Sequence, residues 1–556
     1  MVLALLAGAC SSARGVAVPG FETGPPAQGP HQLVDVTREV GIEFEHGAFR
    51  WETAADPVAM MGGGVCWLDF DRDGWLDLYA VNTYAEAEWG RWQGEEGGLP
   101  SNGLYRNEDG AAFTDVSEET GTDLRDRGNG CVAADFNRDG WTDLYVTTAR
   151  FNELLWNNGD GTFTQGAEEA GVDAYGWQAG AAAGDLNGDG WPDLVVTGYV
   201  DVNNRIVEAT KAFPNTQQPM PDLLYLSQGS NGDDVVTFTE VGTDVGLGSE
   251  GDEYGLGVLL SDVDRDGDLD MYVANDTNPN RLYLTEPDLA AAHGFRLIER
   301  QDAGADDENS GMGVASGDYD RNGRFDLFVS NFDTQLHAVL RNISDPGQPL
   351  FEDALPTLGV TQLGMGLTGW GAAWVDLDHD TDLDLFIVHG NVPVFDMAAD
   401  RQPLQVLLNR TAEGQRGVFE DGSSALGLDA VPDVIGRGSA FADYDNDGDL
   451  DIALIGIGGT LTLLENRSPP GNWLTVVLDG PAQGTTVAVS LGDGTVLERE
   501  VHAGSSYLSS EDPRPHFGLG DATDIRGIVV RWPDGSQTAV EGPPVNSAVV
   551  VAHGGP

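Results

Sequence analysis

One motif is written seven times in this chain, and it leaves few folds open. Its last copy, DYDNDGDLD at 443–451, sets acidic residues at alternate positions and a glycine at the sixth. The others are DFDRDGWLD at 69–77, DFNRDGWTD at 135–143, DLNGDGWPD at 185–193, DVDRDGDLD at 262–270, DYDRNGRFD at 318–326 and DLDHDTDLD at 376–384. In a curling loop every second side chain points inward, and glycine takes the positive φ that closes the curl. Such a loop suits a hard cation such as Ca2+, which gathers roughly six to eight oxygens. Mg2+ is disfavoured because it demands a rigid octahedron and keeps its waters. Carboxylates held about 5 Å apart repel by roughly 3 kcal/mol per pair at an effective dielectric near 20, so each loop needs a cation to stay closed.

The flanks repeat as well. A small-residue segment precedes each copy, as in GGGVCWL (62–68), GNGCVAA (128–134) and GMGVASG (311–317), and suits a strand packed tightly near an axis. An apolar strand such as LYAV, LFVS or IALI follows, then a third strand (GLYRN at 103–107, ELLWNN at 153–158) and a fourth (AFTDVSEETG at 112–121, TFTEVGTDVG at 237–246). Four strands per unit, repeated radially, make a β-propeller blade. The predicted fold is therefore all-β, a seven-bladed propeller over 33–468. The seventh unit runs out after three strands near Leu464, and LVDVTREVGI (33–42) reads as the missing fourth. That strand is expected to close the ring and remove an exposed sheet edge. Beyond it, segments alternating around GDG and PDG turns predict a small β-sandwich-like domain over 471–553.

Twenty-eight basic against 91 acidic residues give a formal charge of −63. A field of that sign repels phosphate backbones and anionic headgroups, so nucleic acid is excluded as a partner. Lys211 is the single lysine, which leaves amine chemistry one candidate. Residues 1–10 read as an export signal: a short apolar run ends in AGAC, like a bacterial lipobox with Cys10 as the lipidated residue, and 11–32 is a Pro/Gly-rich tether. The expected location is outside the cell, as an outer-membrane or cell-surface lipoprotein or else secreted, with membrane contact only through that anchor. Cys66 and Cys131 precede the first two acidic loops, where neighbouring blades could join them in a disulfide or leave two buried thiols.

These residues resemble FG-GAP/VCBS repeats, the propeller units of integrin α chains. HFGLG (516–520) and VRWPDGS (530–536) resemble the ASPIC/UnbV domain, and the pairing is similar to the cartilage acidic protein family. The resemblance implies calcium at every loop, up to seven sites, with side-chain oxygens from positions 1, 3, 5 and 9 and a backbone carbonyl from position 7. The implied ligands are Asp69, Asp71, Asp73 and Asp77; Asp135, Asn137, Asp139 and Asp143; Asp185, Asn187, Asp189 and Asp193; Asp262, Asp264, Asp266 and Asp270; Asp318, Asp320, Asn322 and Asp326; Asp376, Asp378, Asp380 and Asp384; and Asp443, Asp445, Asp447 and Asp451. Thr381 replaces the glycine of the sixth copy, so a distorted or weaker site is expected there.

All seven loops fall on one propeller face. The long insertions at 83–101, 201–221 and 391–403 fall on the other, with aromatic and sulfur side chains (Trp51, Trp89, Trp92, Met60, Met61, Tyr175, Trp177, Tyr254, Met312, Trp370) and polar ones (Asn82, Asn275, Asp276, Asn331, His389, Asn391). That face suits a glycan or protein ligand, which makes the chain a cell-surface binding or adhesion module. The alternative is a polysaccharide lyase or hydrolase using His389, or a tyrosine, with an arginine near the axis. Neither HExxH nor GxSxG occurs in the sequence.

Overall fold

The computed structural model describes residues 32–53, 55–206, 212–230, 235–248, 253–469 and 471–554. The expected export signal, Cys10, most of the tether and Lys211 lie outside them.

Seven four-stranded antiparallel sheets each hold one acidic repeat. In the first, Val65–Leu68, Asp77–Ala80, Gly103–Asn107 and Phe113–Asp115 pair in sequence order. Each acidic loop joins the first strand to the second, which opens on the ninth-position aspartate. The innermost strands touch one another in a closed cycle, from Val65–Leu68 round to Gly436–Ala442 and back. The fourth strand of the last sheet is Leu33–Asp35, antiparallel to the third strand with Leu33 opposite Asn466. It is shorter than the segment read from sequence, because the chain turns at residues 37–41. The fourth strands of the first two blades are also short, each followed by a helical turn: Ser117–Thr120 and Ala167–Ala170. Apolar residues of facing sheets fill the space between blades, as Trp67, Phe113 and Tyr444 do between the last and the first.

The C-terminal domain packs a three-stranded sheet against a four-stranded one over a core that includes Leu474, Val487, Phe517 and Trp532. It rests on the acidic-loop face. Arg514 donates to the Asp443 carbonyl at 2.7 Å, His516 Nε2 lies 2.8 Å from the Gly448 carbonyl, and Gly520 N–H donates to the His379 carbonyl at 2.7 Å.

Between its strands Val496–Glu500 and His516–Gly520 this domain sends a segment down the propeller axis. Residues 500–512 hydrogen-bond to all seven innermost strands or their ends. Glu500 accepts from Asp262 N–H, Ala503 from Ala183, Leu508 from Cys131 and Ser510 from Trp67. Ser506 exchanges two backbone bonds with Val314 and accepts from Ala372 N–H at its hydroxyl, and Asp512 donates to Phe441. The small residues read as axial are small because this plug passes them: a Cβ on Gly130 would stand 2.8 Å from the Leu508 carbonyl oxygen.

Candidate metal centre

Each loop is held by its own carboxylates before any ion is considered. In loops one to five the first-position aspartate accepts from the backbone N–H of positions 5 and 6; Asp69 takes Asp73 and Gly74, both at 3.1 Å, and Asp318 takes Asn322 and Gly323, both at 2.8 Å, while Asp376 and Asp443 take the N–H of position 6. The fifth-position aspartate caps the N–H of position 7, as Asp73 does for Trp75 at 2.8 Å. The ninth-position aspartate is buried in all seven loops. One of its oxygens takes the N–H of position 2 (Phe70 to Asp77, 3.0 Å) and the other an N–H of the third strand (Asn107 to Asp77, 2.8 Å).

These bonds converge carboxylates. The ligand atoms of Asp69, Asp71 and Asp77 lie within 4.8 Å of one another, as do those of Asp262, Asp264 and Asp270, of Asp318, Asp320 and Asp326, and of Asp376, Asp378 and Asp384. Asp71 Oδ1, Asn322 Oδ1, Asp376 Oδ1, Asp378 Oδ1 and Asp443 Oδ1 are buried and accept no hydrogen bond. Orphaned buried oxygens are rare because each costs about 1–3 kcal/mol, more when charged, and a cation is the partner an all-oxygen cluster fits. Without one, burial and then the neighbouring carboxylates push Asp445 up to about 8, while burial pushes Asp69, Asp262 and Asp318 up to about 6. Several buried acidic clusters can thus hold a metal ion. Asn137 and Asn187 supply neutral oxygens at position 3 of loops two and three, each amide also donating to the position-5 aspartate at 3.0 Å. In loop five, Arg341 Nε binds Asp320 at 2.6 Å, so that carboxylate already has a cation beside it.

The sixth loop, where a distorted or weaker site is expected, keeps the backbone course of its sisters. Thr381 keeps the N–H bond to Asp376 at 3.1 Å and adopts φ +85°, alongside +92° at Gly74 and +96° at Gly448. The backbone course is preserved and the strain falls on the threonine. The same loop carries a second acidic group, Asp380, Asp382 and Glu413, partly neutralised by Arg321 and Arg410.

Two recurring positions escaped the sequence reading. Position 4 is also left-handed: Arg72, Arg138, Arg265, Arg321, His379 and Asn446 have φ between 54° and 62°. This aims each side chain at the next loop around the ring. Arg72 and Arg138 lie 5.4 and 5.3 Å from the ring centroids of Trp141 and Trp191. Arg265 bonds the Gly323 carbonyl, Arg321 bonds Thr381 and Asp382, His379 approaches Asp449 at 3.5 Å, and Asn446 donates to the Gly74 carbonyl at 3.3 Å. The second position is a third-strand asparagine. Asn107, Asn157, Asn342, Asn409 and Asn466 each donate to the position-2 carbonyl of the preceding loop, at 2.8–3.0 Å. Its signal was the N that ends GLYRN and recurs in ELLWNN.

On the opposite face the residues divide. Trp177, Tyr254, Met60, Met61, Met312 and Trp370 are buried in one cluster with Tyr507 and Leu508 of the plug, and Met60, Met61, Met312 and Trp370 also line a cavity of this face. Asn82, Asn275 and Asn331 are buried and donate to the Ser101, Pro279 and Leu336 carbonyls of their own connections, Asn82 also to that of Glu45. His389 is fully buried beside His337, its Nδ1 3.0 Å from the Pro403 carbonyl. Exposed apolar rings remain at Trp89, Phe151, Tyr175 and Phe395. Cys66 and Cys131 form a disulfide between the first two blades.

Residues 479–556 match the family described as ASPIC and UnbV. Residues 69–146, 135–196 and 262–329 match the FG-GAP-like repeat. Cartilage acidic protein 1 of Xenopus tropicalis is 25% identical over 335 residues, which cover 57% of this chain and 48% of that protein. The Homo sapiens protein of the same name is 26% identical over 296 residues, or 51% of this chain and 42% of that protein. The chain spans about half the length of these curated relatives. A solved structure of recognition of non-reducing terminal N-acetylglucosamine by an Agrocybe aegerita lectin aligns at 15% identity and a TM-score of 0.38, covering 67% of this chain and 89% of that one. The chain thus carries FG-GAP-like repeats and a C-terminal ASPIC/UnbV domain, with homology to cartilage acidic protein 1 over about half of its length.

Proposed function

We propose that this protein is an exported binding module that calcium holds rigid, presenting a protein or glycan ligand with the face away from its acidic loops. The observation that carries the reading is the repeated loop geometry, in which buried carboxylate oxygens converge and accept no hydrogen bond. In this reading the ion is structural. It supplies charge neutralisation, while the carboxylates of positions 1, 3, 5 and 9 close each loop around it. Among the described residues no helix is long and apolar enough to cross a membrane; attachment through Cys10 is part of the same proposal. The insertion loops of the opposite face with exposed Trp89 and Phe395, and the shorter connections that carry exposed Phe151 and Tyr175, are the contact surface.

Calcium at ten times its dissociation constant adds about 1.4 kcal/mol per site, so several sites together rival a domain's net stability. Excess EDTA therefore lowers the melting temperature by many degrees, and calcium but not magnesium restores it; an unchanged melt sinks the reading. A glycan array and a capture experiment, each with and without calcium, identify the ligand. For a lyase or hydrolase, polar groups would have to converge in a cleft of that face. The apolar cavity described next is lined by Tyr199 and Asp276 but, among the described residues, by neither histidine nor arginine.

A further inference from the structure

The loops of the opposite face enclose a cavity of ≈ 520 Å3 over the end of the axial plug. Insertions 201–221 and 391–403 supply Phe213 and Val392 to Phe395, and the blades supply Met61, Met312 and Trp370. The walls are overwhelmingly apolar, and among the described residues of the lining Asp276 is the charged side chain. Its carboxylate accepts the Tyr199 hydroxyl at 2.7 Å, and burial pushes it up to about 6. The nearby basic group, Arg437, does not line the cavity. It lies 3.9 Å from the Trp370 ring centroid and donates to the carbonyls of Met60, Gly436 and Asn391.

We propose that this cavity is a binding site for a small amphipathic amine, with its apolar body against the Met and aromatic walls and its ammonium on Asp276. The size and the lining, apolar with a few placed polar groups, are those of small-molecule sites. An ammonium gains a charge-assisted hydrogen bond from a carboxylate in a low-dielectric wall. Aromatic faces add attraction for the same charge. The formal charge of −63 repels amphipathic anions and draws cations to the rim. A sugar would leave most of its hydroxyls without partners here, because Thr53, Thr277 and Ser310 are the hydroxyl side chains that join Tyr199 and Asp276 in the lining. The site goes beyond the proposed macromolecular ligand and does not depend on it.

Calorimetric titration of the calcium-loaded full chain with 2-phenylethylammonium, 2-phenylethanol and 3-phenylpropionate tests the assignment. The ammonium is expected to bind at least about tenfold more tightly than the alcohol, and the carboxylate not at all. Asp276→Asn should bring the ammonium down to the alcohol's level with the melting temperature unchanged. Phe395→Ala, at an exposed rim position, should weaken ammonium and alcohol alike. Equal affinity for all three probes, or no saturation by the ammonium at millimolar concentration, overturns the proposal. A normal calcium-dependent melt in the same sample would then confine the failure to this site.

Discussion

Thr381 shows how much of a metal loop one residue type reveals. The sixth-position glycine is a direct signal of positive φ, and its loss in the sixth copy could be read in advance. The outcome could not be, because six sister loops and a cap on Asp376 hold the backbone in the same course. Left-handed conformation costs a β-branched residue on the order of 1–3 kcal/mol. Thr381→Gly is therefore expected to raise stability by about 1 kcal/mol, with a small gain in calcium affinity at that loop, measured by denaturant melts and calorimetry. Position 4 carried no such signal, since Arg and His are ordinary loop residues and only the closed ring gives their left-handed turn a purpose. The carboxylates make a second prediction at this scale. Asp445 at about 8, Asp69 at about 6 and Glu511, pushed up to about 7 by burial, all bind protons more tightly in the folded chain than in the unfolded one. Their penalty is absent below the unfolded values and grows as pH rises through 6 to 8. In EDTA the melting temperature should fall between about pH 5.5 and 8, whereas with calcium it should rise, because ligand deprotonation then favours the loaded form. Parallel melts at the two pH values decide it.

At the scale of elements, what was legible followed periodicity. Acidic loops, alternating strands and the missing last strand are local patterns, so blade boundaries could be drawn from them. The plug makes contacts across separations from 71 residues (Asp512 to Phe441) to 443 (Ser510 to Trp67), and HAGSSYLSSEDP reads as a turn-rich loop on its own. Its one advance sign was the small-residue run of each innermost strand, which suited a crowded axis but did not say what crowds it. Gly130→Val tests the packing, since its Cβ would meet the Leu508 carbonyl, a backbone atom that cannot swing aside. Tyr507→Ala probes the other end, where the ring packs on Trp370 at 4.8 Å between centroids and the hydroxyl donates to Met61 O at 3.0 Å. Each substitution is expected to cost about 3 kcal/mol or more by denaturant melt. If the C-terminal domain merely sat on the face, both would be near neutral.

Across the whole molecule the seven seams are not equally tied. Between the last and first blades, Asn107 reaches the Tyr444 carbonyl at 2.8 Å and Asn446 reaches Gly74, and the N-terminal strand latches the last sheet. Between the first and second stand the disulfide, the Arg72–Trp141 contact and Asn157 on the Phe70 carbonyl. The seam between the third and fourth has Gly188 at position 4, and Thr285 takes the place of the asparagine and bonds within its own blade. What joins those blades is the apolar cluster around Leu186, Leu260 and Leu269, Thr197 on the Leu256 carbonyl at 3.0 Å and, on the opposite face, Tyr199 on Asp276 at 2.7 Å and Tyr254 on the Gln217 carbonyl at 3.0 Å; none of these hydrogen bonds runs between acidic loops. Neutralising ions offset the self-repulsion of a chain with a formal charge of −63, so removing them should strain every seam and open the least tied. Hydrogen exchange after chelation is expected to deprotect Gln178–Gly184 and Gly255–Ser261 first, with Val65–Leu68 and Gly436–Ala442 last. Uniform deprotection, or opening at the N-terminal latch, would mean that the plug rather than the loop-to-loop bonds sets the order in which blades part.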